Sequence, residues 1–242
     1  MMFKAPNDST GGDSNAATFQ HASVERYPSL LKPLLIVLVA TLLALAFALL
    51  GSEVGEGDTL FFDMQLLQRA QALRAGHPWL AEVMRDLSGL GSTVVLTLFT
   101  VATVGYLALV SQHALAICVA TSVISGTVLV SVFKATFSRM RPDLAYAELA
   151  ASGLSFPSGH ASMSALVFLT IGALIASSHK RVSERLYILL TAGLMTLLVG
   201  LSRVALGVHY ATDVLGGWAF GSAWAIVWLL LARYVVSRNW AS

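Results

Sequence analysis

Six stretches of the chain are apolar and almost free of charge: Pro33–Leu50, Thr93–Val110, Ala114–Phe133, Ala161–Ser178, Leu186–Leu201 and Val214–Val236. A helix that crosses a bilayer needs about 20 apolar residues, within a range of roughly 17–25. Five of the six reach that length; Leu186–Leu201 has 16 residues and must borrow flanking positions. Hydrocarbon offers no water to backbone N–H and C=O groups, so each span is expected to be a helix that pairs its own. The short alternating segments of a membrane barrel are absent from the sequence. The pattern predicts an all-α polytopic membrane protein, a six-transmembrane-helix bundle.

The connections refine this picture. Only Ser111, Gln112 and His113 separate the second and third spans, which predicts a tight antiparallel pair. Residues 51–92 form the first long loop. In it Leu66, Leu67, Ala70 and Leu73, then Leu80, Val83, Met84 and Leu87, recur at helical spacing around a Gly76-His77-Pro78 break. Two short amphipathic helices are expected, either lying at the membrane interface with Trp79 as an anchor or capping the bundle. Residues 1–29 are polar and rich in Gly, Ser, Asn and Asp; they can bury little and are expected to be a disordered N-terminal tail. The first apolar block starts beyond residue 30, deeper than secretory signals start, and reads as an uncleaved helix. Residues 30–242 then make one membrane-embedded domain.

Composition agrees with the pattern. Hydrophobic residues make up 56% of the chain and charged residues 12%, with a mean hydropathy of +0.74. Soluble domains carry about 25% charged residues. An ordinary cytosolic enzyme, a disordered protein and a nucleic-acid binder are excluded, and a net charge of +2 implies no polyanionic partner. The single cysteine, Cys118, lies in an apolar run and serves as a small hydrophobe.

With charge so scarce, polar groups beside a span are informative. Three clusters stand out. Lys134 to Pro142 follows the third span, Phe156-Pro157-Ser158-Gly159-His160 precedes the fourth, and Ser202-Arg203, His209 and Asp213 lie between the fifth and sixth. The first two share one loop, and two further crossings return the chain to the same face for the third. Taken singly, each cluster has an ordinary reading: a structural His–Asp pair, a turn with a helix cap, cations meeting lipid headgroups. Those readings are independent and would not gather all three on one face.

Together the clusters hold three cations (Lys134, Arg141, Arg203), two histidines (His160, His209), one carboxylate (Asp213) and a Ser158-Gly159 turn at a helix start. On a helical turn the four-residue spacing of His209 and Asp213 lets the carboxylate reach one ring nitrogen and leaves the other free. Gly159 allows close backbone approach, helix N-terminal N–H groups attract anions, and Arg and Lys suit a phosphate dianion. This combination points to phosphoryl transfer through a histidine. His77, His113 and His179 lack such neighbours and read as loop residues.

The three segments resemble the signature of the type 2 phosphatidic acid phosphatase superfamily: Lys-x6-Arg-Pro, Pro-Ser-Gly-His and Ser-Arg-x5-His-x3-Asp, matched at Lys134–Pro142, Pro157–His160 and Ser202–Asp213. The chain looks most like its bacterial integral-membrane lipid phosphatases, of the phosphatidylglycerophosphatase and undecaprenyl pyrophosphate phosphatase type. The resemblance implies that His209 is the nucleophile, Asp213 orients it, and His160 is the acid and then the base. Lys134, Arg141, Arg203, Ser158 and the amides at Ser158 and Gly159 would hold phosphate. Arg139 lies outside the signature and is given no role. No metal and no cofactor are expected; the expected partner is a lipid phosphate entering from the bilayer. The alternatives are a lipid phosphotransferase using the same intermediate and a non-catalytic phospholipid-binding or transport protein.

Lys and Arg counts address orientation. The side holding both termini carries eight, and the other seven; without Lys134, Arg141 and Arg203 the balance is eight to four. Both termini are therefore expected in the cytoplasm and the clusters on the extracytoplasmic face of the cytoplasmic membrane.

Overall fold

The computed structural model describes residues 31–149 and 151–239, so the expectation for the tail at 1–29 lies outside the described residues. The described residues form eight α-helices in order: α1 (Leu31–Glu56), α2 (Leu60–Gly76), α3 (Trp79–Gly89), α4 (Thr93–Leu109), α5 (His113–Phe137), α6 (Gly159–Ser177), α7 (Val182–Ala205) and α8 (Ala211–Asn239). No strand occurs among the described residues. Among the described residues six apolar helical runs are long enough to cross a membrane, and they correspond one for one to the expected spans. The short fifth block extends at both ends into α7, 24 residues long.

The helices of the first long loop break at Gly76–Pro78, where the sequence places the break. Both cap the bundle: α3 packs on α7, and α2 touches α7 and α8. Only Leu90–Ser92 separates α3 from α4, and the Ser92 hydroxyl accepts the Val95 amide at 3.3 Å to start the second helix.

The most buried span is α6, which packs chiefly on α7 and α8. Apolar side chains gain little by leaving lipid for protein, so helices in a bilayer associate through close packing and hydrogen bonds. The sequence supplies both. On α8, Gly217 and Gly221 face α6: a Cβ at 217 would sit 2.9 Å from the Ser158 carbonyl oxygen, and one at 221 would collide with that of Ser162. Trp218 Nε1 donates to the Thr196 carbonyl of α7 at 3.1 Å, and Trp224 Nε1 to the Ser122 carbonyl of α5 at 3.2 Å. Outward residues such as Leu34, Leu38, Leu42 and Leu45 of α1 stay exposed, as lipid-facing positions should.

An aromatic cluster fixes the segment that enters α6. Phe156, fully buried, stacks on Phe47 at 5.7 Å and meets Phe137 edge-on at 4.9 Å. Such pairs contribute about 0.5–1.5 kcal/mol each beyond burial. They set the height at which Ser158, Gly159 and His160 start the helix.

Gly221→Ala should force α6 and α8 apart and destabilise the fold by about 1–3 kcal/mol, the usual range for overpacking. Thermal unfolding in detergent measures this; an unchanged midpoint would contradict the close approach.

Candidate active site

Four helix ends meet at one end of the bundle. α5 stops because Ser138 takes a left-handed conformation (φ +47°), its amide returning to the Lys134 carbonyl at 2.9 Å. The chain then runs back across the bundle through Arg139 and Arg141. Segment 153–155 lies beside it: the Ser155 amide donates to the Arg139 carbonyl at 2.8 Å, and Lys134 Nζ donates to the Leu154 and Ser155 carbonyls at 2.6 and 3.2 Å. Arg141 Nε donates to the Gly153 carbonyl at 3.0 Å.

His209 does not lie on a helix. It sits in the turn between α7 and α8, and Asp213 lies in the first turn of α8. This corrects the expectation of a helical i, i+4 pair. Asp213 reaches back instead, as an acidic N3 residue does at a helix start: its Oδ2 accepts the Tyr210 amide at 2.9 Å and stands 3.3 Å from His209 Nδ1. The turn is closed by Gly207 at φ +73°, where any side chain would strike the Tyr146 carbonyl. Arg74, almost fully buried, donates to the Tyr146 carbonyl at 2.6 Å and to that of Ala205, clamping the same turn from α2.

The geometry assigns the tautomer. Nδ1 faces carboxylate oxygen, so it carries the proton. Nε2 stands 3.1 Å from Arg141 Nη1, a donor, and so presents its lone pair. Burial pushes the His209 pKa down to about 4; Asp213 works against that shift, while Arg141 and Arg203 add to it. This shift favours the neutral ring at physiological pH.

The other expected residues gather around it. Lys134, Arg203, His209 and Arg141 are the electrostatic neighbours of His160, which forms no side-chain hydrogen bond within the described protein. Arg203 Nη1 donates to Ser88 Oγ of α3 at 2.5 Å. Its Nε and the hydroxyl of Ser158 are buried with no partner. Ser158 is the N-cap of α6 and yet does not cap it with its side chain. First-turn amides of a helix have no partner inside the helix. The site thus holds an unspent hydroxyl, an unspent guanidinium N–H and a helix N-terminus, a donor set suited to anionic oxygens.

Beneath this point a cavity of about 220 Å³ opens between α4, α5 and α6. Lys134, Gly159 and His160 stand at its polar part, and Leu96, Val130 and Met163 line the apolar part. Among the described residues no group of three or more His, Cys, Asp or Glu side chains is arranged to hold a metal ion.

Sequence reasoning missed Ser155, Arg139, Asp63 and Thr212. Ser155 donates to Asp213 Oδ2 at 2.5 Å and lies 3.3 Å from His209 Nδ1. Arg139, set aside above, donates to Asp213 Oδ1 and to Asp63 Oδ2, both at 2.7 Å. Asp63, fully buried, also takes the Thr212 amide at 3.0 Å and its hydroxyl at 2.6 Å. Burial opposes the charge on Arg139, but Asp213 and Asp63 outweigh it and raise its pKa. One sequence signal pointed here: Asp63 is the sole carboxylate of α2 and follows Leu60-Phe61-Phe62.

Residues 115–237 match the PAP2 superfamily. Phosphatidylglycerophosphatase B of Bacillus subtilis strain 168 is 34% identical over 189 residues, 74% of this chain and 87% of that protein. The crystal structure of a transmembrane PAP2-type phosphatidylglycerolphosphate phosphatase from the same species superposes with a TM-score of 0.73 at 28% identity, covering 81% of this chain and 96% of that one. LpxE of Aquifex aeolicus superposes with a TM-score of 0.54 at 25% identity over 70% of this chain and 95% of its own. The chain is a multi-pass membrane protein and belongs to the PAP2 superfamily.

Nitrogen-15 NMR of histidine-labelled protein, with the signal assigned by its loss in His209→Gln, should show a neutral His209 ring at pH 5.5. A ring protonated at that pH would overturn the assigned environment.

Proposed function

We propose that this membrane lipid phosphatase hydrolyses phosphate monoesters or diphosphate esters of lipids through a phosphohistidine at His209. One observation carries the reading: the His209 imidazole, oriented through Nδ1 by Asp213, turns Nε2 toward Arg141 in a pocket whose Ser158 hydroxyl and Arg203 Nε are buried and unpaired.

In the first half-reaction the Nε2 lone pair attacks phosphorus in line, and the bond to the leaving oxygen breaks as His160 gives that oxygen a proton. A phosphate oxygen takes over the Arg141 guanidinium that rests against Nε2. The Nδ1 proton stays in place, and Asp213 faces the positive ring that forms. In the second half-reaction His160 accepts a proton from water, the water oxygen attacks phosphorus, and the P–N bond returns its electron pair to Nε2. Lys134, Arg141, Arg203, the Ser158 hydroxyl and the first-turn amides at Gly159 and His160 hold the equatorial oxygens while charge builds on them; the Ser158 amide, expected to join them, is taken instead by the Asp213 carbonyl at 2.9 Å. Positioned donors and a histidine acid–base supply the chemistry, so the reaction is proposed to need no metal.

The cavity between α4, α5 and α6 receives the part of the lipid next to its headgroup, and the tail stays in the bilayer. Phosphatidylglycerol phosphate, phosphatidate and undecaprenyl pyrophosphate all present a phosphate on such an anchor; the similarity to phosphatidylglycerophosphatase B favours the first. The charge balance of the loops supports cytoplasmic termini and a site on the outer face of the inner membrane.

His209→Ala should lower phosphate release from short-chain phosphatidylglycerol phosphate by about 10⁴-fold or more while the protein still inserts. Activity within a few fold of wild type would remove the nucleophile. His160→Ala should lose turnover by about 10²–10⁴-fold yet accumulate phosphoenzyme from a substrate with a good leaving group, trapped by an alkaline denaturing quench because a P–N bond is lost in acid. Excess EDTA should leave the rate of purified enzyme unchanged; its loss and restoration by a divalent cation would refute the metal-free scheme.

A further inference from the structure

The mechanism above uses Asp213 but leaves two charges beside it unexplained. Asp63 and Asp213 are both fully buried, and Arg139 forks between them with one nitrogen on each carboxylate, 2.7 Å away in both cases. The guanidinium also lies over the Tyr210 ring, 4.2 Å from its centre. Counting the three groups, two carboxylates and one guanidinium leave one net negative charge. Were packing the sole requirement, Arg139 and Asp213 would already form a neutral pair. A second buried carboxylate, brought from α2 and held by the Thr212 amide and hydroxyl, needs another reason.

The chemistry at His209 supplies one. Attack through Nε2 with the proton kept on Nδ1 turns a neutral ring into a cation, in a site where Arg141 already stands 3.1 Å from that ring. With Asp63 present, the buried cluster beside Nδ1 carries one negative charge that this cation cancels. Without it, Asp213 is already matched by Arg139, and the new cation forms beside a neutral pair. In a poorly solvated setting that difference acts on the transition state more than on substrate binding, because the ring is neutral until phosphorus is attacked.

We propose that Asp63, acting through Arg139, is a positioning residue that keeps the buried cluster around Asp213 at one net negative charge, the charge that stabilises the phosphorylated ring. Asp63 does not touch the ring; its oxygens are taken by Arg139 and Thr212. It sets how much negative charge Asp213 presents to Nδ1 and fixes the first turn of α8 through Thr212. The inference rests on the phosphohistidine reading, and His209→Ala tests that reading separately.

The experiment compares charge with packing, using short-chain phosphatidylglycerol phosphate and protein in native membranes normalised by amount. Asp63→Asn keeps the size and removes the charge; kcat should fall about 30-fold or more with KM within about 3-fold. Asp63→Asn combined with Arg139→Gln breaks both ion pairs but restores one net negative charge, and its kcat should exceed that of Asp63→Asn by about 5-fold or more. Arg139→Lys keeps every charge and should retain about a tenth of wild-type kcat or better, whereas Arg139→Gln alone should not. A double variant no faster than Asp63→Asn, or Lys and Gln at 139 behaving alike, would overturn the proposal. Either result, with His209→Ala inactive, leaves the phosphohistidine reading standing.

Discussion

A carboxylate removed from water must be surrounded by donors or it will not stay charged, and Asp213 is where this structure meets that demand. Its two oxygens take Arg139, Ser155 and the Tyr210 amide, with the His209 ring beside them. Leaving such a group unpaired costs several kcal/mol. Each donor comes from a different part of the chain: the exit of α5, the entry to α6 and the turn before α8. Satisfying one buried anion therefore brings together the segments that a phosphate site needs.

Close backbone approach does the rest. Gly217 and Gly221 let α8 lie against α6, so the Ser158 amide can reach the Asp213 carbonyl at 2.9 Å. Phe156, wedged against Phe47 and Phe137, holds the same segment from the other side. Within that frame Ser158 and Arg203 keep polar atoms unsatisfied at full burial, a local disadvantage that natural folds concentrate where they bind something.

The six spans were legible because a bilayer imposes a length and a composition on anything that crosses it. The site motifs were legible because, in a chain with 12% charged residues, each cation or imidazole at a helix end stands out. The support behind the site was harder to see. Asp63 lies 150 residues before Asp213, and nothing in its local spacing says which cation will meet it. Arg139 is two residues from Arg141 and looks like one more surface charge until the left-handed turn at Ser138 redirects the chain. The His209–Asp213 pair was foreseen as a contact and misplaced as a helical one, since a spacing of four says nothing about where a helix starts. These residues depend on tertiary geometry, which a linear pattern does not encode.

The seam between α6 and α8 runs the length of α6, from Gly217 and Gly221 against Ser158 and Ser162 to Trp228 and Ala232 beside Thr170 and Leu174. A bilayer that is thicker or thinner than the bundle changes helix tilt. Two helices joined along a whole seam tilt as one plank, so accommodation to different membranes is taken up by the helices around that plank and leaves the two helix starts that carry the site in register.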